Sequence, residues 1–453
     1  MRNALVTAAL IALSVGAGAQ APAGKPSQPA VCNNCHKPEA GRVAGYFENV
    51  AFKSQSIQLG LDASKEIVRF DEKTLKVFDA GEPKKPEHLR EVRKGHEARI
   101  TYVEKDGQKF ATEIRFKGPV KVAGADLVDY AFVKKIVDGG AGGVLIDSRP
   151  LPRFQQGTIP GAINVPYPAF DKFANRLPSD KATPLVFFCQ GVTCQMSPLS
   201  QRKAKALGYT NTRVYHEGVP EWQKKDYLTT TPEFVKAAYL DKDIPAVLLD
   251  VRPGNASSSA HIKGATSMPA ATVKARARSF PDPKLEAPII VYDGRGGADA
   301  IAAARALIRS GQGNVQVIRG GLLAWQAAGY AIESGAAATR VAYAPKPRAG
   351  SIAADEFRAL ALKTPADALI LDVRNQDEAS AGMIKGAVLI PEEELQARMA
   401  ELPKDKRILI HCSTGIRAEM AYHKLKEAGY NAAFLNAEIE IAKDGSIKLT
   451  PKA

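Results

Sequence analysis

Five cysteines in 453 residues are too few for a disulfide framework, which needs many paired thiols in a small scaffold, so each cysteine is a candidate for chemistry. After the N-terminal stretch there is no long apolar run, and no membrane span is expected there. Blocks of Lys and Arg are missing as well. Cations exceed anions by 62 − 48 = 14, but the excess is spread along the chain, which argues against a nucleic-acid-binding arm. What is present is an ordinary globular composition, 45% hydrophobic and 24% charged, long enough for two to four domains. The basic balance favours an anionic substrate or an acidic partner.

The chain opens with Arg2, an apolar run from Ala4 to Leu13 and the small residues Ala17-Gly18-Ala19-Gln20-Ala21, the pattern of a cleaved signal peptide over residues 1–21. The run is shorter than the roughly 20 residues a spanning helix needs. With no cysteine at the cleavage point, a lipid anchor is not expected, and the mature protein is expected in the periplasm or outside the cell. Cys32-Asn33-Asn34-Cys35-His36 follows, with the C-x-x-C-H spacing used for covalent attachment of haem c. Two thiols one helical turn apart reach the two vinyl groups, and the adjacent His ligates iron. Export favours one haem here. A Cys32–Cys35 disulfide and a zinc site share the spacing and are the alternatives.

Alternating polar and apolar residues at 56–61, 98–103 and 111–116 predict strands, with a hairpin turn at Asp106-Gly107. Residues 22–122 therefore read as the haem motif with a small, mostly β domain. By elimination His96, with His88 as the other candidate, is the expected distal iron ligand.

From residue 123 onward a pattern repeats with a period of roughly 105 to 120 residues, as tandem domains do. Its first element is an aliphatic strand ending in Asp-x-Arg, at Asp147/Arg149, Asp250/Arg252 and Asp372/Arg374. These pairs read as strand-end capping and salt-bridge positions. Next come Ile159-Pro160-Gly161-Ala162, Ile262-Lys263-Gly264-Ala265 and Ile384-Lys385-Gly386-Ala387, marking tight turns. A second aliphatic strand then runs into a short loop and a helix, and the residue at the strand's end is Cys189, Asp293 or Cys412. Such alternation predicts α/β units with parallel sheets.

This motif set, completed by Gly320-Gly321 with Trp325 and Gly218 with Trp222, resembles the rhodanese family over roughly residues 124–450. The fold expected is α/β: three tandem rhodanese-like domains, 123–228, 229–340 and 350–453, preceded by the small β haem-bearing domain and the signal peptide. The loop from Cys412 to Arg417 matches the C-x-x-G-x-R loop of single-domain rhodaneses, and the resemblance implies that Cys412 carries a persulfide sulfur. A cysteine at a strand end, facing loop N–H groups and opening a helix, has its anion stabilised by those donors and the helix dipole. Arg417 would add positive charge for an anionic donor such as thiosulfate. An inert core cysteine is the alternative.

The first copy, Cys189-Gln190-Gly191-Val192-Thr193-Cys194-Gln195-Met196-Ser197, resembles a two-cysteine subgroup of the family. Cys194, placed in the first helical turn, could attack a Cys189 persulfide, release sulfide and leave a disulfide. A purely structural disulfide is the alternative. In the second copy a carboxylate stands where the nucleophile should be, so that domain is expected to be catalytically silent.

Together these readings imply a sulfurtransferase with catalytic Cys412, Arg417, Cys189 and Cys194, a small anionic sulfur donor, a thiol or sulfide acceptor, and a periplasmic redox partner for the haem. A phosphatase-like cradle is disfavoured because the Cys412 loop is a residue too short. A non-catalytic set of sulfur-binding modules beside an electron-transfer haem is the competing reading.

Overall fold

Alternation in the first hundred residues produces strands, and the strands close on themselves. In the computed structural model, which describes residues 39–451 except 53, 54, 62–64, 94, 106 and 107, seven strands form one sheet. Their order is Lys65–Phe70, Ser56–Gly60, Arg42–Ala51, Glu97–Lys105, Gln108–Phe116, Lys76–Asp79 and Glu82–Lys84. Arg69 and Phe70 also pair with Phe110 and Ala111, so the first five of these strands close into a barrel and lose their free edges. Ile57, Leu59, Val68, Ile100 and Ile114 fill its interior. Lys105 pairs directly with Gln108, as a two-residue hairpin requires, although the turn residues lie outside the described set. Residues 1–21, expected to be a signal peptide, and Cys32, Cys35 and His36 also lie outside it.

The continuous aliphatic runs become the central strands of three parallel five-stranded sheets. The first has the order Ile163–Asn164, Val144–Asp147, Leu185–Phe188, Thr212–Tyr215, Leu127–Val128. The second runs Leu228–Thr230, Val315–Ile318, Ile289–Tyr292, Val247–Asp250, Thr266–Ser267, and the third Ser351–Ile352, Ala432–Leu435, Arg407–His411, Ala368–Asp372, Val388–Leu389. Residues of Leu185–Phe188 and Ile289–Tyr292 are buried throughout, because helices cover both faces. Registers agree among the copies: Phe188 lies beside Asp147, Tyr292 beside Asp250 and His411 beside Asp372. The next residue along each central strand, Cys189, Asp293 or Cys412, is thereby set at the carboxyl edge of its sheet next to the Asp-x-Arg turn.

That turn is built identically three times. Arg149, Arg252 and Arg374 each place two guanidinium nitrogens on the carboxylate two residues earlier, at 3.0 and 2.7, 2.9 and 2.6, and 2.9 and 2.6 Å. Each also donates to a carbonyl in the next turn, Gly157, Ala260 or Gly382. Asp147, Asp250 and Asp372 are fully buried, so each pair fixes its strand end by bidentate geometry.

Several contacts link the units, among them these three. Thr158 and Thr229 form a bridge between the first and second α/β domains, Arg69 of the barrel meets Glu392 of the third at 3.0 Å, and the Val120 amide donates to the Val192 carbonyl in the two-cysteine loop. Among the described residues, no helix is long and apolar enough to cross a membrane.

Candidate active site

Cys412 follows the fully buried end of Arg407–His411, and the chain turns through Ser413, Thr414 and Gly415 into the helix Ile416–Glu427. Gly415 has a φ of +86°, a left-handed conformation that glycine takes without steric cost, and this turn brings its amide 3.1 Å from Cys412 Sγ. The thiol thus faces a backbone donor at a helix N-terminus, where partial positive charge accumulates.

Arg417 lies in the helix's first turn, and its guanidinium is already engaged. It makes a bidentate ion pair with Glu378 at 2.7 and 2.8 Å and donates to Asn375 Oδ1 at 3.2 Å. Ser413 Oγ donates to Glu378 at 2.7 Å. The expected free positive charge is therefore largely compensated; what the pair supplies is a fixed orientation beside the sulfur. Burial would lower the guanidinium's pKa, but its hydrogen bonds to Glu378 and the nearby Cys412 outweigh this and raise the value. Burial would push the Glu378 carboxyl up, yet hydrogen bonds from Arg417, Ser413 and the Asn375 amide hold it at about 2.

Glu378 and Ser413 are absent from the sequence-derived site. The signal for Glu378 was local: Asn375 and Glu378 form the capping box of Gln376–Ala379, an N-x-x-E pattern just beyond Asp372-x-Arg374. Because the folded pKa of Glu378 is depressed from 4.5 to about 2, its contribution to stability is present above about pH 4.5 and lost as pH falls toward 2. Glu378→Gln is expected to make the decline in urea midpoint over this acid range shallower than in the wild type.

His411 precedes the cysteine, is completely buried, and has no hydrogen-bond partner on either ring nitrogen. Burial is the main cause that pushes its pKa down to about 4, so the ring is neutral at pH 7. It packs edge-on against Phe357, and Asp372 is 3.7 Å away.

In the second domain the same loop is filled by its own side chain. Asp293 accepts from the amides of Arg295 at 2.8 Å, Gly296 at 2.5 Å, Gly297 at 3.0 Å and Ala300 at 3.1 Å. Burial opposes ionisation, but these donors outweigh it and lower the carboxyl's pKa. Converging amides around an anion are what this loop offers, and here the anion is built in. Asp293→Asn is expected to cost the chain about 1–3 kcal/mol in denaturant unfolding.

Cys189 and Cys194 of the first domain form a disulfide. Cys194 sits in the loop, where its amide bonds the Gly191 carbonyl, and the helix Met196–Ala206 begins two residues later; the expected place in the first helical turn is corrected accordingly. Gly191, at φ +109°, makes the sharp return that brings the two sulfurs together. Ser197 Oγ is 3.1 Å from Cys189 Sγ, and Arg149 donates to Gln190 at 3.0 Å. Gly218 packs so closely on the Cys189 carbonyl that no Cβ would fit, as does Gly321 on the Asp293 carbonyl, which is why glycine opens each Trp-bearing helix.

His96 Nε2 donates to the Lys117 carbonyl at 3.0 Å, which leaves Nδ1 as the nitrogen with a lone pair. Both ring nitrogens of His88 are engaged, by Asp79 at 2.8 Å and Glu91 at 3.1 Å. Among the described residues no group of three or more His, Cys, Asp or Glu is placed to hold a metal.

A family model for the rhodanese-like domain matches residues 131–225, 231–328 and 353–440. A sulfurtransferase of Allochromatium vinosum is 38% identical over 64 residues, 14% of this chain and 60% of that protein. A tRNA uridine(34) hydroxylase of Bdellovibrio bacteriovorus is 37% identical over 79 residues, 16% of this chain and 22% of that protein. The chain thus spans less than two thirds of these curated relatives. The crystal structure of a thiosulfate sulfurtransferase from Pseudomonas aeruginosa aligns at 21% identity over 72% of this chain and 69% of that one, with a TM-score of 0.23. With three matched segments that together exceed half its length, the chain belongs to the rhodanese-like domain family in three tandem copies.

Proposed function

We propose that this protein is an exported sulfurtransferase that takes sulfane sulfur from an anionic donor such as thiosulfate onto Cys412, and that it carries one covalent haem c at Cys32, Cys35 and His36. The observation that carries the sulfur chemistry is the Cys412 loop, with its sulfur against the Gly415 amide and Arg417 pinned beside it by Glu378. In the first step the Cys412 thiolate attacks the outer sulfur of thiosulfate. The donor's S–S bond breaks, its electron pair leaves with sulfite, and the sulfur remains as a Cys412 persulfide anion. A thiol or sulfide acceptor, as its anion, then attacks the outer persulfide sulfur and Cys412 departs as thiolate, so the cycle needs no external oxidant. The loop amide and helix N-terminus favour the negative charge that moves onto this sulfur.

The two-cysteine loop has a separate role. With Cys189 reduced and persulfidated, the Cys194 thiolate attacks the Cys189 sulfur, the outer sulfur takes the bonding pair and a proton and leaves as hydrosulfide, and the Cys189–Cys194 disulfide results. A dithiol reductant resets it. Support comes from the pairing of the two sulfurs across the loop. The second domain, plugged by Asp293, has no part in transfer.

The haem proposal rests on C-x-x-C-H after a signal-like segment. A bound haem would supply a one-electron centre for a periplasmic electron-transfer partner; Cys32, Cys35 and His36 would hold it, and His96 is the candidate second iron ligand.

Reduced protein lacking Cys189 and Cys194, mixed with excess thiosulfate and no acceptor, is expected to release one sulfite per chain from thiosulfate as Cys412 takes up the outer sulfur. No sulfite release would overturn the transferase reading in favour of sulfur-binding modules. Haem that stays with the denatured chain through acid–acetone extraction, and is lost in Cys32→Ala/Cys35→Ala, is the expected result for the haem; extractable or absent haem would overturn that part.

A further inference from the structure

Between the first and second α/β domains lies a cleft of about 480 Å³. It opens at the carboxyl edge of the second domain's sheet: Val317, Ile318, Arg319 and Gly320 end one strand and run on from it, Thr229 comes from its neighbour, and Gly296 comes from the Asp293 loop. Ligands of open α/β sheets bind at this edge. One face of the cleft is aliphatic, with Ile136, Val137 and Leu145 from one domain facing Ile301 and Val317 from the other, and the rest is polar or backbone surface around Thr229, Gly296 and Arg319.

One charged side chain lines the cleft. The Arg319 guanidinium donates to the Ala162 carbonyl at 2.7 Å and lies 4.6 Å from the centre of the Phe154 ring. Among the described residues no carboxylate forms a salt bridge with it, whereas Arg149, Arg252, Arg305, Arg374 and Arg417 are all paired. Asp147, the acidic group whose field reaches it, is already held by Arg149. Burial accordingly lowers the pKa of Arg319. A desolvated cation without a counter-ion is costly, and an arriving anion would relieve that cost.

We infer that the second domain is a ligand-binding domain, whose cleft takes a monoanion with a short aliphatic body and holds the anionic head on Arg319. Asp293 removes persulfide chemistry from this domain but leaves the cleft beside its loop open. The aliphatic face gives the ligand's body a contact that a small, strongly hydrated anion lacks, and the volume lies within the range of small-molecule sites.

Hexane-1-sulfonate is a suitable probe, followed by calorimetry on the full-length protein with thiosulfate and hexan-1-ol as controls lacking the apolar body or the charge. One site is expected, with both controls binding at least about tenfold more weakly and Arg319→Gln weakening the sulfonate by about tenfold or more. Ile136→Trp, which narrows the aliphatic end and leaves Arg319 in place, is expected to block binding too, and it decides the matter if the Arg319 variant does not fold. Cys412→Ser is expected to bind the probe normally, so this site stands or falls apart from sulfur transfer. No binding to the wild type, or equal binding to a folded Arg319→Gln protein, would overturn the inference.

Discussion

Cys412→Ser is expected to abolish transfer of sulfur from thiosulfate to a thiol acceptor, lowering turnover by a factor on the order of 10³ or more. The substitution exchanges one atom at a site with no exposed surface and creates almost no cavity, so the thermal midpoint is expected to change little. What disappears is the chemistry. An oxygen cannot store sulfane sulfur as a persulfide, and a serine hydroxyl needs a general base to become a nucleophile. His411 is the adjacent histidine in sequence, but it is buried against Phe357 on the core side of the strand end. A variant that is folded yet retains wild-type turnover would move the transfer site away from the third domain. If activity passed to the first domain, Cys189→Ser would then remove it.

Arg374→Met is expected to be the most destabilising single change, at about 3–5 kcal/mol, because it leaves the fully buried Asp372 carboxylate without its bidentate partner. The same change deprives the Gly382 carbonyl of its donor and loosens the turn beside Cys412. Denaturant unfolding should become biphasic, with the third domain opening first while the first two α/β domains persist. Asp372→Leu combined with Arg374→Met should recover part of the loss, since replacing both members of a buried pair costs less than stranding one. A single variant as stable as the wild type would show that the pair does not hold this strand end.

Much of this architecture is legible in the residues because burial leaves simple marks. Continuous aliphatic runs such as Leu185–Phe188 and Ile289–Tyr292 mark strands covered on both faces, and the Asp-x-Arg signature places their ends. Alternation at Ser56–Gly60, Glu97–Lys105 and Gln108–Phe116 marks strands, but closure of the barrel through Arg69 and Phe70 depends on a long-range pairing that no local pattern encodes. The hairpin Ala437–Ile441 with Ile447–Pro451, whose Ile439 amide bonds the Ser413 carbonyl and so braces the Cys412 loop, likewise has no counterpart in the other two copies to reveal it.

At the site, spacing was sufficient for Cys412 and Arg417 because both lie on one loop and the helix it opens. Glu378 lies 39 residues from Arg417 and is recognisable only once the capping box that holds it is set beside that helix. Its presence changes the reading of Arg417 from a free cation to an oriented one. That a carboxylate replaces the cysteine in the second domain was legible from Asp293 alone; that it occupies the amide cradle needed the geometry of Arg295, Gly296, Gly297 and Ala300.

The most direct test of sulfur storage on Cys412 is the mass of the peptide containing it, taken under non-reducing conditions after brief exposure of the full-length protein to thiosulfate. The account predicts the added mass of one sulfur atom on that peptide, removed by a thiol and absent from Cys412→Ser. An unmodified Cys412 peptide, with the added sulfur on Cys189 or on no cysteine, would contradict it.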